Sequence, residues 1–237
     1  MPENSYQILE LSENIWSIED QHVRAFVVEG SRRTMVVDTG FGTADIKKTV
    51  EDLTDKPVFL VNTHTDRDHI GGNKAFDEVY MHPAEFDRYY SKQDVPVLPN
   101  AVWEGDTFDL GGIVFEVVLI PGHTPGSIAL LEREKRMLIS GDSVQNGSIF
   151  MFGEGRNLPA YIESLKKLES MMNLFDTIYG SHGDVKIDAD IIPRLREGAE
   201  KLFAGKLKAK ELNPEHPLSG TGCMLYDCGV AGFLYMK

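Results

Sequence analysis

His64, Asp66, Asp68 and His69 fall within six consecutive positions of the run Asn62-Thr63-His64-Thr65-Asp66-Arg67-Asp68-His69-Ile70-Gly71-Gly72. Imidazole nitrogens and carboxylate oxygens are the donors that zinc and other first-row metals accept, so this density of donors predicts a metal site. Asp66 gives the group an oxygen-rich character. The run directly follows Val58-Phe59-Leu60-Val61, which places it at the end of an apolar strand.

The same arrangement recurs three times. His123 follows the apolar run ending at Ile120, within Pro121-Gly122-His123-Thr124-Pro125-Gly126. Asp142 follows Met137-Leu138-Ile139, within Ser140-Gly141-Asp142-Ser143, and His182 follows Thr177-Ile178-Tyr179, within Gly180-Ser181-His182-Gly183. Alone, a histidine after a strand is ordinarily a surface or hydrogen-bonding residue, and Gly-Asp is a common turn. Four strands that each end in a glycine-bearing loop with a potential ligand are a different matter, because such loops converge above a rigid sheet edge. Seven side chains then suffice for two divalent ions, with an aspartate bridging and water in the remaining space. Two ions a few Å apart polarise a carbonyl or phosphoryl oxygen and lower the pKa of water, and hydrolysis is the economical use of that pair. If the ions are iron, redox chemistry opens.

The elements that must carry these loops read as strands and helices in alternation. Ile15–Ile18, Ala25–Glu29 and Thr34–Val37 have strand character. A helix from about Thr43 buries Ile46, Val50 and Leu53 at the 3.6-residue period. Strand character returns at Val79–Met81, Thr107–Leu110, Ile113–Ile120, Ser127–Leu131 and Arg136–Ile139, with Gly111-Gly112 as a hairpin turn. A short helix is expected around Pro83–Tyr90, a longer one from Pro159 to about Met172, and a last one from Ile192 to Leu207. No internal repeat or low-complexity linker appears. The expectation is one domain over 1–237.

The chain has 237 residues, enough to bury a large core, with 42% apolar and 26% charged residues, the composition of an ordinary globular protein. Its formal charge is -13, from 24 basic and 37 acidic side chains, which disfavours a nucleic-acid partner. Lys201, Lys206, Lys208 and Lys210 read as a solvated face near a helix end. No apolar stretch reaches membrane-spanning length, and Met1-Pro2-Glu3-Asn4 lacks the pattern of a signal peptide, so a cytoplasmic location without membrane attachment is the default expectation. Cys223 and Cys228 lack metal-knuckle spacing and read as free thiols, with a disulfide as the alternative.

Together these motifs resemble the metallo-β-lactamase-fold proteins. The family pattern His-x-His-x-Asp-His is echoed by His64-Thr65-Asp66-Arg67-Asp68-His69, its later motifs by the segments around His123, Asp142 and His182, and its early strand and turn by Val36-Val37-Asp38-Thr39-Gly40. The resemblance implies an α/β fold, an αββα sandwich with two central mixed sheets flanked by helices. It implies that His64, Asp66 and His123 hold a first metal and Asp68, His69 and His182 a second, with Asp142 bridging and Asp38 supporting from behind. Asp68 and Asp142 are then the catalytic carboxylates. The implied activity is a metal-dependent hydrolase that directs metal-activated water or hydroxide onto a small-molecule ester, thioester, lactone, amide or phosphoester. Two divalent or redox-active ions are implied, zinc or iron first and manganese as an alternative.

Asp66 departs from the pattern, since histidine is commoner there. A carboxylate adds negative charge, makes the site harder, and should weaken its Lewis acidity. It also resembles the His-x-Glu-x-Asp-His pattern of flavodiiron proteins. That likeness keeps a diiron protein reducing oxygen or nitric oxide as an alternative, with a separate electron-transfer flavoprotein as donor. A noncatalytic metal-binding module is the third reading.

Four further residues are candidates for substrate contact. His22 lies in an early hairpin turn. Phe150, Phe152 and Arg156 follow the bridging aspartate, where they would form an apolar wall with one cation or pack on the Pro159–Met172 helix. His82 reads as structural, starting a local helix, and His216 as a loop residue. The apolar stretch Cys223–Met236 packs onto the core, completes a sheet or covers a partner subunit. The last option makes a homo-oligomer an open expectation.

Overall fold

A computed structural model of the chain describes residues 6–92 and 97–236. Met1–Asn4 lie outside the described residues. The chain builds two compact units, residues 1–118 and 119–237.

The first unit is organised on a seven-stranded sheet, β1 (Gln7–Ser12), β2 (Ile15–Asp20), β3 (Val23–Glu29), β4 (Thr34–Val37), β5 (Val58–Val61), β6 (Val79–Met81) and β7 (Asn100–Ala101), lying side by side in chain order. The strands from β1 to β4 pair antiparallel through short turns. From β4 to β7 the pairing is parallel, so the connections must cross over, and helices fill them. These are α1 (Ile46–Glu51), the single turn α2 (Arg67–Ile70) and α3 (Phe86–Tyr90). A hairpin of β8 (Thr107–Asp109) and β9 (Val114–Leu119) turns at Gly111-Gly112, as the sequence predicts.

Helix α1 starts at Ile46 rather than at about Thr43 because Asp45 caps it, its carboxylate accepting from Lys48 N at 3.0 Å. Ile46, Val50, Ile70 and Tyr89 from the helices join Val27, Val36, Leu60 and Met81 from the strands in one apolar core. The parallel junction has a consequence for function. Strands β4 and β5 end on the same side, so Asp38 and the 62–69 loop emerge as neighbours, tied by Asp38 N donating to Val61 O at 3.0 Å.

The second unit holds the β10 (Ile128–Glu132) and β11 (Met137–Gly141) hairpin, followed by β12 (Ser148–Phe150), α4 (Leu158–Ser170), β13 (Thr177–Gly180), β14 (Ile187–Asp188) and α5 (Ile191–Phe203). Strand β13 pairs parallel with β11 and antiparallel with β14. Helix α4 is the clamp of this unit. Its Ser164 hydroxyl donates to Pro121 O at 2.6 Å, Lys167 Nζ to Leu119 O at 2.9 Å and Tyr161 OH to Ser143 O at 2.7 Å. Gly122, at φ +136°, lets the loop before His123 close on α4, where a Cβ would run into the Tyr161 backbone.

The C-terminal stretch completes a sheet. Strands β15 (Ala209–Lys210), β16 (Met224–Asp227) and β17 (Gly232–Tyr235) join β12 in the order β12-β17-β16-β15, with β12 parallel to β17. Cys223 and Cys228 flank β16 at its opposite ends and are both free thiols. The four residues between them are extended chain and set the two cysteines about 16 Å apart, far beyond disulfide reach.

Candidate metal centre

The first unit gathers His64 and His69 around Asp38, with Asp66 beside His64 and Asp68 beside His69. Asp38 sits in the left-handed region at φ 61°, immediately after β4, and is 1% exposed. Its carboxylate accepts from Thr63 N at 2.8 Å, Thr63 Oγ1 at 2.6 Å and His69 Nδ1 at 2.8 Å. Ligand-capable atoms of Asp38, His64 and His69 lie within 4.8 Å of one another. Because a carboxylate only accepts, His69 must donate from Nδ1, which leaves the Nε2 lone pair as its ligand atom. Thr63 spends its proton on Asp38 and so accepts from His64 Nδ1 at 3.0 Å, fixing the same tautomer in His64.

The second unit gathers His123, Asp142 and His182. His123 is fully buried, and its Nδ1 donates to the Phe150 carbonyl at 3.1 Å, so its Nε2 is again the ligand nitrogen. Asp142 leaves β11 just after a register shift between Ile139 and Gly141 against β13, the kind of irregularity that re-aims a side chain. Its Oδ2 lies 3.5 Å from His123 Nε2 and its Oδ1 lies 3.3 Å from His182 Nε2.

These spacings fit metal ligands. Two donors each about 2.1 Å from a tetrahedral ion lie about 3.4 Å apart. The two Asp142 pairs match that edge, as do His64 Nε2 to Asp66 Oδ2 at 3.6 Å and, more loosely, His69 Nε2 to Asp68 Oδ2 at 3.9 Å. Each unit thus carries a His/Asp cluster with the donor chemistry and locked tautomers of a divalent-metal site.

The charge expectation for Asp66 needs correction. Arg88 on α3 donates to Asp66 Oδ1 at 2.9 Å, and Lys92 Nζ lies 3.3 Å from the same oxygen. The extra carboxylate is therefore compensated. Burial pushes the Lys92 ammonium below its ordinary pKa, with Arg88 adding to that and Asp66 opposing it. Arg67, the nearest cation in sequence, is exposed instead.

Of the remaining candidates, His22 is exposed on the β2–β3 turn and meets Phe41 edge-on at 5.1 Å. Phe150 and Phe152 stack at 5.7 Å, Phe150 being 36% exposed, and Arg156 is half-buried nearby in sequence. His82 caps the turn after β6, its Nδ1 accepting from Ala84 N at 3.2 Å, and burial lowers its pKa. Neighbours of the ligands that sequence reasoning passes over include Thr63, Asn62, Asn73 and Glu85. Asn73 Nδ2 donates to Asn62 Oδ1 at 2.7 Å, and the buried Glu85 accepts from Thr65 N at 3.0 Å and Thr65 Oγ1 at 2.6 Å. Thr63 adjoins a ligand in sequence, whereas Asn73 and Glu85 lie 4 and 16 positions beyond His69 with no local signal.

Residues 19–182 match the Metallo-beta-lactamase superfamily, a span that includes Asp38 and both clusters. The chain is 30% identical over 185 residues to the acyl-coenzyme A thioesterase MBLAC2 of Gallus gallus, covering 62% of this chain and 67% of that one. To the Homo sapiens protein of the same name it is 26% identical over 220 residues, 75% of each chain. Among solved structures it is similar to a metallo-beta-lactamase from Pontibacter korlensis, with a TM-score of 0.70 at 17% identity over 83% of this chain and 99% of that one. That likeness is one of fold, the αββα sandwich with mixed central sheets and flanking helices that the sequence resemblance implies.

Proposed function

The chain belongs to the metallo-beta-lactamase superfamily, and from that membership we propose that it is a dinuclear metal-dependent hydrolase of thioesters. Its two His/Asp clusters act as one centre within a single catalytic domain. His64, Asp66 and His123 would hold one ion and Asp68, His69 and His182 the other, with Asp142 available to both. The observation that carries this reading is the division of Asp142, which offers one oxygen to His123 and the other to His182 at near-equal distances of 3.5 and 3.3 Å. The named relatives are thioesterases, which favours hydrolysis over redox chemistry and narrows the substrate class.

Bound ions supply an acidified water and a Lewis acid for the substrate carbonyl. The chain's residues do the rest. Asp68, whose side chain is 23% exposed against 1% for Asp38, is the accessible carboxylate that orients the water and receives its proton. Asp38 and the Phe150 carbonyl keep His69 and His123 in place throughout. The stacked Phe150 and Phe152 give the acyl chain an apolar wall, and Arg156 offers a cation to an anionic end of the substrate. A thiol leaves readily because its ordinary pKa of about 8.5 makes thiolate a good leaving group. No helix among the described residues is long and apolar enough to cross a membrane.

Chelation tests this reading. Purified enzyme acting on an acyl thioester loses activity when its metal is stripped and regains it with zinc, manganese or iron. Undiminished turnover by protein whose metal content has been verified as nil contradicts the mechanism.

A further inference from the structure

Asp66 stands where a neutral histidine is the commoner ligand, and its surroundings are built for that difference. Arg88 and Lys92 converge on Oδ1 at 2.9 and 3.3 Å, while Oδ2 faces His64 Nε2 at 3.6 Å. One oxygen is thus held by cations and the other is turned toward the His64 ligand nitrogen. The arrangement is largely withdrawn from solvent, with side-chain exposures of 17% for Arg88 and 19% for both Lys92 and Asp66. Removing two cations from water is costly, so their convergence on one carboxylate oxygen needs a compensating role.

The anchoring extends to the backbone. Lys92 Nζ donates to Thr65 O at 2.6 Å, while Glu85 accepts from Thr65 N and Oγ1 on the other side of the same residue. Glu85, fully buried, lies 3.7 Å from Arg88 Nε and closes the chain of charges. One arginine and one lysine against one aspartate and one glutamate sum to zero formal charge. That is the charge an imidazole would have brought.

We propose that Arg88 and Lys92 are positioning residues for Asp66, holding Oδ1 so that Oδ2 alone serves the metal and, with Glu85, returning this corner of the site to neutrality. The inference rests on the two-metal reading of the site. It also means that the aspartate does not by itself turn the centre toward iron, because the charge that would do so is already offset.

Zinc affinity, read by competition with a chromophoric chelator on metal-free protein, tests the arrangement without recourse to turnover. Arg88→Gln and Lys92→Gln each weaken zinc binding by about 10- to 100-fold, the usual effect of removing a residue that orients a ligand. Arg88→Lys stays within about 3-fold of the parent, because an ammonium takes the place of the guanidinium nitrogen that donates to Asp66 Oδ1. In an Asp66→His background the Arg88→Gln change no longer weakens binding. Melting temperatures identify any variant that fails to fold, and the lysine position then decides. Wild-type affinity in both glutamine variants, or an undiminished Arg88→Gln effect in the Asp66→His background, overturns the inference while leaving the two-metal centre standing. Wild-type protein that takes up no zinc, manganese or iron overturns both.

Discussion

Asp142→Asn lowers kcat/KM toward a thioester by about 10³-fold, equivalent to about 4 kcal/mol of transition-state stabilisation. The reason is geometric before it is electrostatic. Asp142 leaves the end of β11 and is 6% exposed, and its two oxygens face two different imidazoles. Asparagine preserves the volume but replaces one oxygen with an NH2 group that has no lone pair to offer a metal, so one of the two faces loses its ligating oxygen. The side chain also loses the negative charge that helps to hold two cations side by side. Steady-state kinetics on metal-reconstituted protein provide the measurement. A loss smaller than about 10-fold contradicts the central role given to this carboxylate.

Asp38→Ala has the second large effect, and it reaches stability as well as metal binding. Four donors converge on this carboxylate, including Asn62 Nδ2 at 3.4 Å and the closer Thr63 N, Thr63 Oγ1 and His69 Nδ1. Alanine strands them in a site that is 1% exposed, at a cost of about 3 kcal/mol. The left-handed backbone at φ 61° adds about 1 kcal/mol for a residue with a plain Cβ. Without its acceptor, the His69 ring is no longer fixed, and metal affinity falls about 10- to 100-fold. Asp38→Asn separates the contributions, because asparagine tolerates the left-handed region while losing the charge. Its melting temperature lies between the wild-type and alanine values, while metal binding remains weakened. Wild-type stability and affinity in Asp38→Ala would remove Asp38 from the account.

The ligand set is legible in the sequence because each ligand loop follows a short apolar run and carries glycine. Val58–Val61, Met137–Ile139 and Thr177–Tyr179 are all strands, as their residue types require. The strand β1 is less visible, since Gln7–Ser12 is mostly exposed or half-buried and its glutamate and serine resemble loop chemistry. Strand β12 lies in a glycine-bearing segment and pairs with β17, more than 80 residues away, so no local pattern announces it. The C-terminal apolar stretch leaves three destinations open, and long-range pairing selects sheet completion.

The support around the ligands is hidden for a related reason. Arg88 and Lys92 lie 22 and 26 positions from Asp66. The residue types around 83–90 predict a short helix, but the side chain it turns toward the ligand loop depends on how that helix closes the parallel crossover. Arg67 is the cation that proximity suggests, yet the turn of α2 points it to solvent. Asn62, Thr63 and Asn73 form a buried polar knot with no period, and only the folded chain pairs them.

Anomalous X-ray diffraction from crystals of protein carrying its native metal, recorded across the zinc, iron and manganese edges, tests the two-metal centre most directly. Two peaks are expected about 3.5–4 Å apart, one on each side of the Asp142 carboxylate, with Asp66 coordinating through a single oxygen. Strong peaks that leave Asp142 uncoordinated, or no metal peak at the His/Asp clusters of fully active protein, would contradict it.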